Sequence, residues 1–316
     1  MDRMPDRRLE YAEILRRKGL PEPDAETMQG LHDIVDEGVL GASNHVALSL
    51  TLVARAARKA RSTARDEALE LAAFIAATRG VAAPIVANAL AWLTDGVDGL
   101  SPSDAARRLD ERAAAWDTAA AERRHALITR GAQALAEYRR PLIFDFSSTV
   151  ADLVRALAAE DGLDRIIIPE SRAIDGGRRY MRALADLGVE LLFLPDAVLD
   201  HAVSQSDVVL LGAESVTLDG GISNTVGSAL AARSARMRGV AVYGAADLFK
   251  VGQRTAAELP PPALRRYDFL LGAGEHASTE APELEIVMPE LITAILTELG
   301  PVAPRDLSAA VARRIA

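Results

Sequence analysis

The chain of 316 residues contains no cysteine, which excludes disulfides, thiolate catalysis and cysteine-ligated metals. Aromatic residues are only 4% of the sequence, with 2 Trp, and alanine is abundant; such a composition favours close helix packing over broad aromatic platforms. Positive charge is scarce. With 36 Lys and Arg against 45 Asp and Glu, the net charge is −9, which argues against non-specific nucleic-acid binding while leaving room for a local basic pocket. No long hydrophobic run is present: the longest weakly polar stretch, Val81–Leu93, contains Pro84 and Asn88 and is too short to cross a bilayer. The first twenty residues are charged and lack an apolar core of the kind a secretion signal needs. The expectation is a cytoplasmic protein with neither nucleic acid nor membrane as partner. The 5 histidines are scattered, none paired at metal-ligand spacing, so neither a metal nor a cofactor is expected.

What is present suffices for a large core, since 49% of the residues are hydrophobic. The length fits one large or two modest domains. The first part reads as helical. Apolar residues recur at helical spacing in Leu9–Leu15, Val46–Ala57, Ala68–Ala77 and Ala119–Leu135, and Ser103–Tyr138 reads as one long helix or a helix pair. The pattern then changes. Short β-rich runs at Leu142–Asp145, Arg165–Pro169, Val189–Leu194, Asp207–Leu211, Val240–Tyr243 and Asp268–Leu271 alternate with helical segments at Ser148–Ala159, Gly176–Leu187 and Thr225–Met237. Alternation of this kind predicts an α/β fold, a parallel sheet with helices on both faces. The expected division is a helical domain with a linking helix over 1–137 and an α/β domain over 138–316.

Three polar clusters follow three predicted strands: Asp145-Phe146-Ser147-Ser148-Thr149, Pro169-Glu170-Ser171-Arg172 with Gly176-Gly177 beyond, and Gly212-Ala213-Glu214 with Asn224 beyond. In a parallel sheet all three project from one edge, where ligands of open α/β sheets bind. The segment Asp207–Ser228 is the most informative: a buried strand delivers Glu214, a turn follows at Asp219-Gly220-Gly221, and Ser223-Asn224-Thr225 reads as a helix start whose free amides suit a phosphate. Each residue also has a plainer reading. Asp145 or Ser147 caps a helix, Arg172 pairs on the surface or holds a phosphate as a fork, and Glu214 and Lys250 are solvated surface groups. Gly272–Ala277 matches a GxGxxA dinucleotide pattern, but Pro282 interrupts the helix that the motif requires.

Several ordered motifs resemble a known family: GAESVTLDGGISNTVGS, ESRAIDGGR, the C-terminal MPELITAILTELGPVAP, LGAS at Leu40–Ser43, and the stretch from Thr78-Arg79 to Asn88-Ala89-Leu90. The family contains the alpha, beta and delta subunits of translation initiation factor 2B. It also contains the isomerases of methylthioribose 1-phosphate and ribose 1,5-bisphosphate. The resemblance implies a helical N-terminal domain, a Rossmann-like C-terminal domain and homodimers or higher homo-oligomers. It also implies phosphate or substrate contacts from Gly41, Ala42, Arg79, Ser147, Ser148, Arg172, Asn224, Thr225 and Lys250.

The departures bear on catalysis. The family's isomerases use a cysteine where this chain has Asp145, and an aspartate where it has Glu214; a family arginine is Leu40 here and a family lysine is Thr225. The preferred reading is an aldose–ketose isomerase of a phosphorylated pentose of the ribose 1-phosphate type. In it Asp145 and Glu214 form a variant acid–base pair, because burial and mutual repulsion hold one of two nearby carboxyls protonated. The alternative is a non-catalytic sugar-phosphate or nucleotide sensor that signals through assembly. A translation factor proper is the third reading.

Overall fold

The computed structural model describes residues 7–36, 42–160 and 162–315. The chain falls into two compact units that divide between Ala121 and Glu122. The first unit is helical: α1 (Arg7–Arg17), α2 (Ala25–Val35), α3 (Ala42–Ala57), α4 (Ala64–Ala82), α5 (Pro84–Thr94) and the first part of α6 (Pro102–Ala134). Local chemistry sets the ends. Asp24 caps α2 by accepting the Thr27 N–H at 2.8 Å, and Pro84 opens α5 where its missing N–H costs nothing. Leu31, Ile34, Leu71, Ile75, Leu90 and Leu93 form the apolar interior, each such side chain contributing roughly 1.5–3 kcal/mol on burial. The Ser103–Tyr138 expectation resolves to a single helix, α6, which runs through the division between the units.

The second unit continues from α6 through β1 (Pro141–Phe144), α7 (Ser148–Ala159), β2 (Arg165–Pro169), α8 (Gly176–Ala183), β3 (Glu190–Leu194), α9 (Leu199–Ser204), β4 (Val208–Leu211), β5 (Ser215–Val216), β6 (Ile222–Thr225), α10 (Ser228–Arg238) and β7 (Ala241–Ala245). It ends with β8 (Leu264–Arg266), β9 (Glu280–Pro282), β10 (Leu284–Val287), β11 (Ala294–Thr297), β12 (Gly300–Val302) and α11 (Leu307–Ile315). The main sheet runs β12-β11-β7-β4-β1-β2-β3. All its pairings are parallel except that of β12. The α/β class expected from the alternation is therefore observed.

The central strands are unbroken apolar runs because both faces are covered. Alternation assigns their side chains to opposite faces. Leu142, Phe144, Val209 and Leu211 pack on one side with Ala229, Ala232 and Leu307. Ile143, Val208 and Leu210 pack on the other with Leu127, Val150, Val154 and Tyr180.

Two expectations are corrected. Asp268–Leu271 is not a strand but a short 3₁₀ turn, Asp268–Leu270, with Phe269 and Leu270 exposed. An apolar run without a partner strand has no ladder to join. Ser223-Asn224-Thr225 is not a helix start; it lies in β6, paired antiparallel with β10 through Leu284↔Thr225 and Glu285↔Asn224, and the helix begins only at Ser228. The capping-type residues there obey a partner strand sixty residues away rather than their local preference. The parallel strand β11 and the antiparallel strands β5, β6, β8, β9, β10 and β12 were not anticipated.

Candidate functional site

The chain travels outward from β1 to β2 and β3, then returns to place β4 on the other side of β1. The strand order thus reverses between β1 and β4, the switch point beyond which open α/β sheets bind ligands. Asp145 follows β1 and Glu214 follows β4, so the two candidate carboxylates leave the two strands that flank the reversal.

Asp145 is built into this edge. It is buried, with 6% exposure, and its backbone is left-handed at φ 57. The Thr225 hydroxyl donates to its Oδ2 at 2.6 Å, and the Ser171 hydroxyl donates a longer bond to Oδ1 at 3.4 Å. Burial pushes the carboxyl's pKa up; the two hydroxyls, the Phe146 N–H and the charge of Arg179 pull against it. Gly176, the first residue of α8, closes the other side: a Cβ there would run into Asp145 Oδ1. Among the described residues, three non-glycine residues adopt positive φ: Asp145, Ser171 (φ 47) and Asp175 (φ 56). All lie in the loops after β1 and β2. Such conformations are held only where surroundings over-determine them, and they gather at functional sites. At Ser171 the holding group is Asp196, whose carboxylate accepts the Ser171 N–H at 2.9 Å and the Arg172 N–H at 2.8 Å.

The neighbouring residues complete the edge. Ser147 caps α7 by accepting the Val150 N–H at 3.4 Å, and its own N–H donates to the buried Tyr180 hydroxyl at 3.0 Å. Gly212 packs so closely that a Cβ would stand 2.5 Å from Ser147 Cβ, which presses the loop after β4 against the loop after β1. Beyond it Glu214 is exposed, anchored through its N–H to the Ser223 carbonyl at 2.9 Å. Lys250 reaches the same loop: its Nζ donates to the Ala213 carbonyl at 2.6 Å. The turn that carries Lys250 is fixed by Asp247, which accepts the Phe249 N–H at 3.1 Å, and by Glu298, which accepts the Leu248 N–H at 3.0 Å; burial raises the pKa of Glu298.

Other expected site residues are placed elsewhere or differently. Ser148 opens α7, its hydroxyl accepting from Arg124 at 3.2 Å. Asn224 is buried and donates to the Ser228 hydroxyl at 3.0 Å. Arg172 is exposed, 4.0 Å from Glu170 Oε2 and 5.4 Å over the Phe269 ring. The free amides expected beyond Asn224 are engaged: the Gly227 and Ala229 N–H groups donate to Glu285 Oε1 at 2.6 and 2.9 Å. The start of α10 already holds a carboxylate. Arg79 lies in the helical unit, donating through Nε to Nδ1 of the buried His45 at 2.9 Å, so that nitrogen accepts and the ring proton sits on Nε2. Ala42 opens α3 in the same unit; Leu40 and Gly41 lie outside the described residues.

Sequence reasoning set Ser171 in a cluster on the same edge as Asp145 but missed Arg179 as a neighbour. The signal for Arg179 was its position three residues after Gly176, which puts both on one face of α8.

A doubly wound sheet with polar loops converging at its switch point defines a class of ligand-binding α/β proteins. The chain matches the Initiation factor 2 subunit family over residues 41–304, and it belongs to that family. A ribose 1,5-bisphosphate isomerase of Thermococcus kodakarensis is 28% identical over 165 residues, 50% of this chain and 51% of that enzyme. The chain thus spans about half the length of that curated relative. A second, from Haloterrigena turkmenica, is 27% identical over 235 residues, 70% of this chain and 72% of the relative. Among solved structures, a Pyrococcus horikoshii translation initiation factor eIF-2B aligns with a TM-score of 0.72 at 21% identity, covering 90% of this chain and 100% of its own. The 5-methylthioribose 1-phosphate isomerase of the same organism aligns at 0.68 and 17% identity, covering 91% and 88%. These two alignments speak for the fold. No helix among the described residues is long and apolar enough to cross a membrane.

Proposed function

We propose that the C-terminal edge of the sheet binds a phosphorylated pentose of the ribose 1-phosphate type and interconverts its aldose and ketose forms. The observation that carries this reading is Asp145: a buried carboxyl of raised pKa at the switch point, hydrogen-bonded by Thr225 and Ser171, in a chain whose curated relatives include ribose 1,5-bisphosphate isomerases. Opening the sugar ring requires a proton at the ring oxygen as the C1–O bond breaks. A buried carboxyl whose pKa is pushed up, as that of Asp145 is, supplies it. Hydrogen then moves from C2 to C1, and the C2 hydroxyl loses its proton as the new carbonyl forms. Glu214, on the loop pressed against Ser147, is the carboxylate that takes it. Two carboxyls in unlike surroundings thereby divide acid and base work.

The exposure of Glu214 favours a second reading, in which the same edge binds a sugar phosphate or nucleotide without converting it and signals through assembly. Under either reading the chain works as a cytoplasmic homodimer or higher homo-oligomer, which light scattering with and without ligand tests.

The deciding experiment is a thermal-shift screen against pentose phosphates, hexose phosphates and nucleoside monophosphates, with conversion followed by NMR. Ligand at about 100 times Kd adds ~2.7 kcal/mol of stability. Stabilisation with aldose becoming ketose establishes the isomerase. Stabilisation without conversion overturns it in favour of the sensor.

A further inference from the structure

Arg179 is the charged group near Asp145 that the proposed mechanism does not use. It is exposed, and among the described residues no carboxylate is paired with it. Its guanidinium lies 4.2 Å over the ring of Phe146, the residue between Asp145 and Ser147. An arginine stacked on an aromatic face keeps its donor edge free to grip an oxyanion, and the planar fork suits phosphate. The other arginines of this edge are more committed: Arg178 pairs with Asp175 at 3.2 Å and Arg172 lies 4.0 Å from Glu170.

The position matters as much as the charge. Gly176 touches the Asp145 carboxyl, and Arg179 stands one turn further on the same face of α8. The groups around Asp145 are the Thr225 hydroxyl from β6, the Ser171 hydroxyl and the Phe146 N–H from the two loops, and Arg179 and Tyr180 from α8. Among the described residues, Arg179 is the cation of this set that acts on the Asp145 carboxyl. The start of α10, which the sequence suggested as the phosphate site, is filled by Glu285.

We propose that Arg179 anchors a phosphate of the bound sugar, and that this contact takes up the charge Arg179 otherwise presents to Asp145. The inference rests on the isomerase reading for its catalytic meaning, but the anchoring stands apart from it. In the free protein the guanidinium favours the ionised carboxylate. A phosphate dianion on Arg179 cancels that influence and adds negative charge nearby, which raises the Asp145 pKa further.

The test is binding of inorganic phosphate and of ribose 1,5-bisphosphate by calorimetry, with carbon NMR titration of the Asp145 carboxyl, identified by its loss in Asp145→Asn. Charge-assisted contacts of this kind are worth about ten-fold or more in affinity. Arg179→Gln is expected to weaken phosphate binding by at least about ten-fold. It should also raise the Asp145 pKa in the free protein and abolish any further rise on adding phosphate. Arg179→Lys, which keeps the charge, should restore part of both effects; a merely structural loss would not leave that pattern. Unchanged affinity in Arg179→Gln, or an Asp145 titration unmoved by saturating phosphate in the unmodified protein, overturns the inference. Conversion of ribose 1,5-bisphosphate in the same samples separates the two claims. Turnover with Arg179→Gln affinity unchanged removes Arg179 and leaves the isomerase. Phosphate held by Arg179 without turnover removes the isomerase and leaves the anchor.

Discussion

The loops after β1 and β4 leave adjacent parallel strands and each presents a carboxylate, yet they are built in opposite ways. The β1 loop turns through a left-handed aspartate whose side chain is buried, bonded by two hydroxyls and closed over by Gly176. The β4 loop leaves Glu214 in solvent and fixes only the backbone around it, through Ser223 and Lys250. One loop fixes a functional group in a low-dielectric setting; the other fixes a platform from which a group reaches out. In the β1 loop burial pushes the Asp145 pKa up, because burial penalises the charged form.

That asymmetry is open to measurement. Asp145→Asn is expected to lower isomerase turnover by at least ~100-fold, the usual worth of a positioned acid, and Glu214→Gln to lower it less; equal losses would erase the distinction between the loops. Gly176→Ala forces a methyl into the Asp145 carboxyl and should destabilise the fold by about 1–3 kcal/mol, the range for overpacking, read as a lower urea midpoint at unchanged slope. An unaltered midpoint would mean that the β1 loop is not held as tightly as its geometry indicates. Glu285→Ala strips the acceptor from two amides at the start of α10, for a loss of about 1 kcal/mol by analogy with caps. If phosphate affinity rose in that variant, α10 would become a second anion site and the β4 side would share the ligand.

The smallest effect concerns pH. Burial lifts Asp145 above its ordinary 3.8, so the folded state binds that proton more tightly than the unfolded chain. The stability this provides is full below about pH 4 and is lost as pH climbs through the raised value. Asp145→Asn cannot ionise, so its melting temperature should gain on that of the unmodified protein as pH rises from about 4 to about 8. A constant difference would place the carboxyl in water, as Glu214 is.

Much of this was legible in the sequence. The runs LIF, RIII, VVLL and AVY marked β1, β2, β4 and β7 because strands covered on both faces must be apolar throughout, and the polar residues straight after them marked the site edge. The family motifs pointed to the same residues. Illegible were the features that depend on distant partners. Ile222–Thr225 has the local chemistry of a helix start and became a strand because β10 lies beside it. Asp268–Leu271 has the composition of a strand and became an exposed turn for want of a partner. Glu285 at the start of α10, and Arg179 beside Asp145, connect segments that no local window contains.

Periodicity therefore settled the class of fold, because hydrophobic burial acts on each segment by itself, while the polar clusters after the strands and the family motifs made Asp145 and Glu214 candidates. Only the tertiary structure decided that one carboxyl is buried and the other exposed, that Glu285 takes the Gly227 and Ala229 amides at the start of α10, and that an arginine stacks on Phe146 beside the acid. Acidity and anion affinity are set by desolvation and nearby charge, and both fall off within a few ångströms of space whatever the separation along the chain.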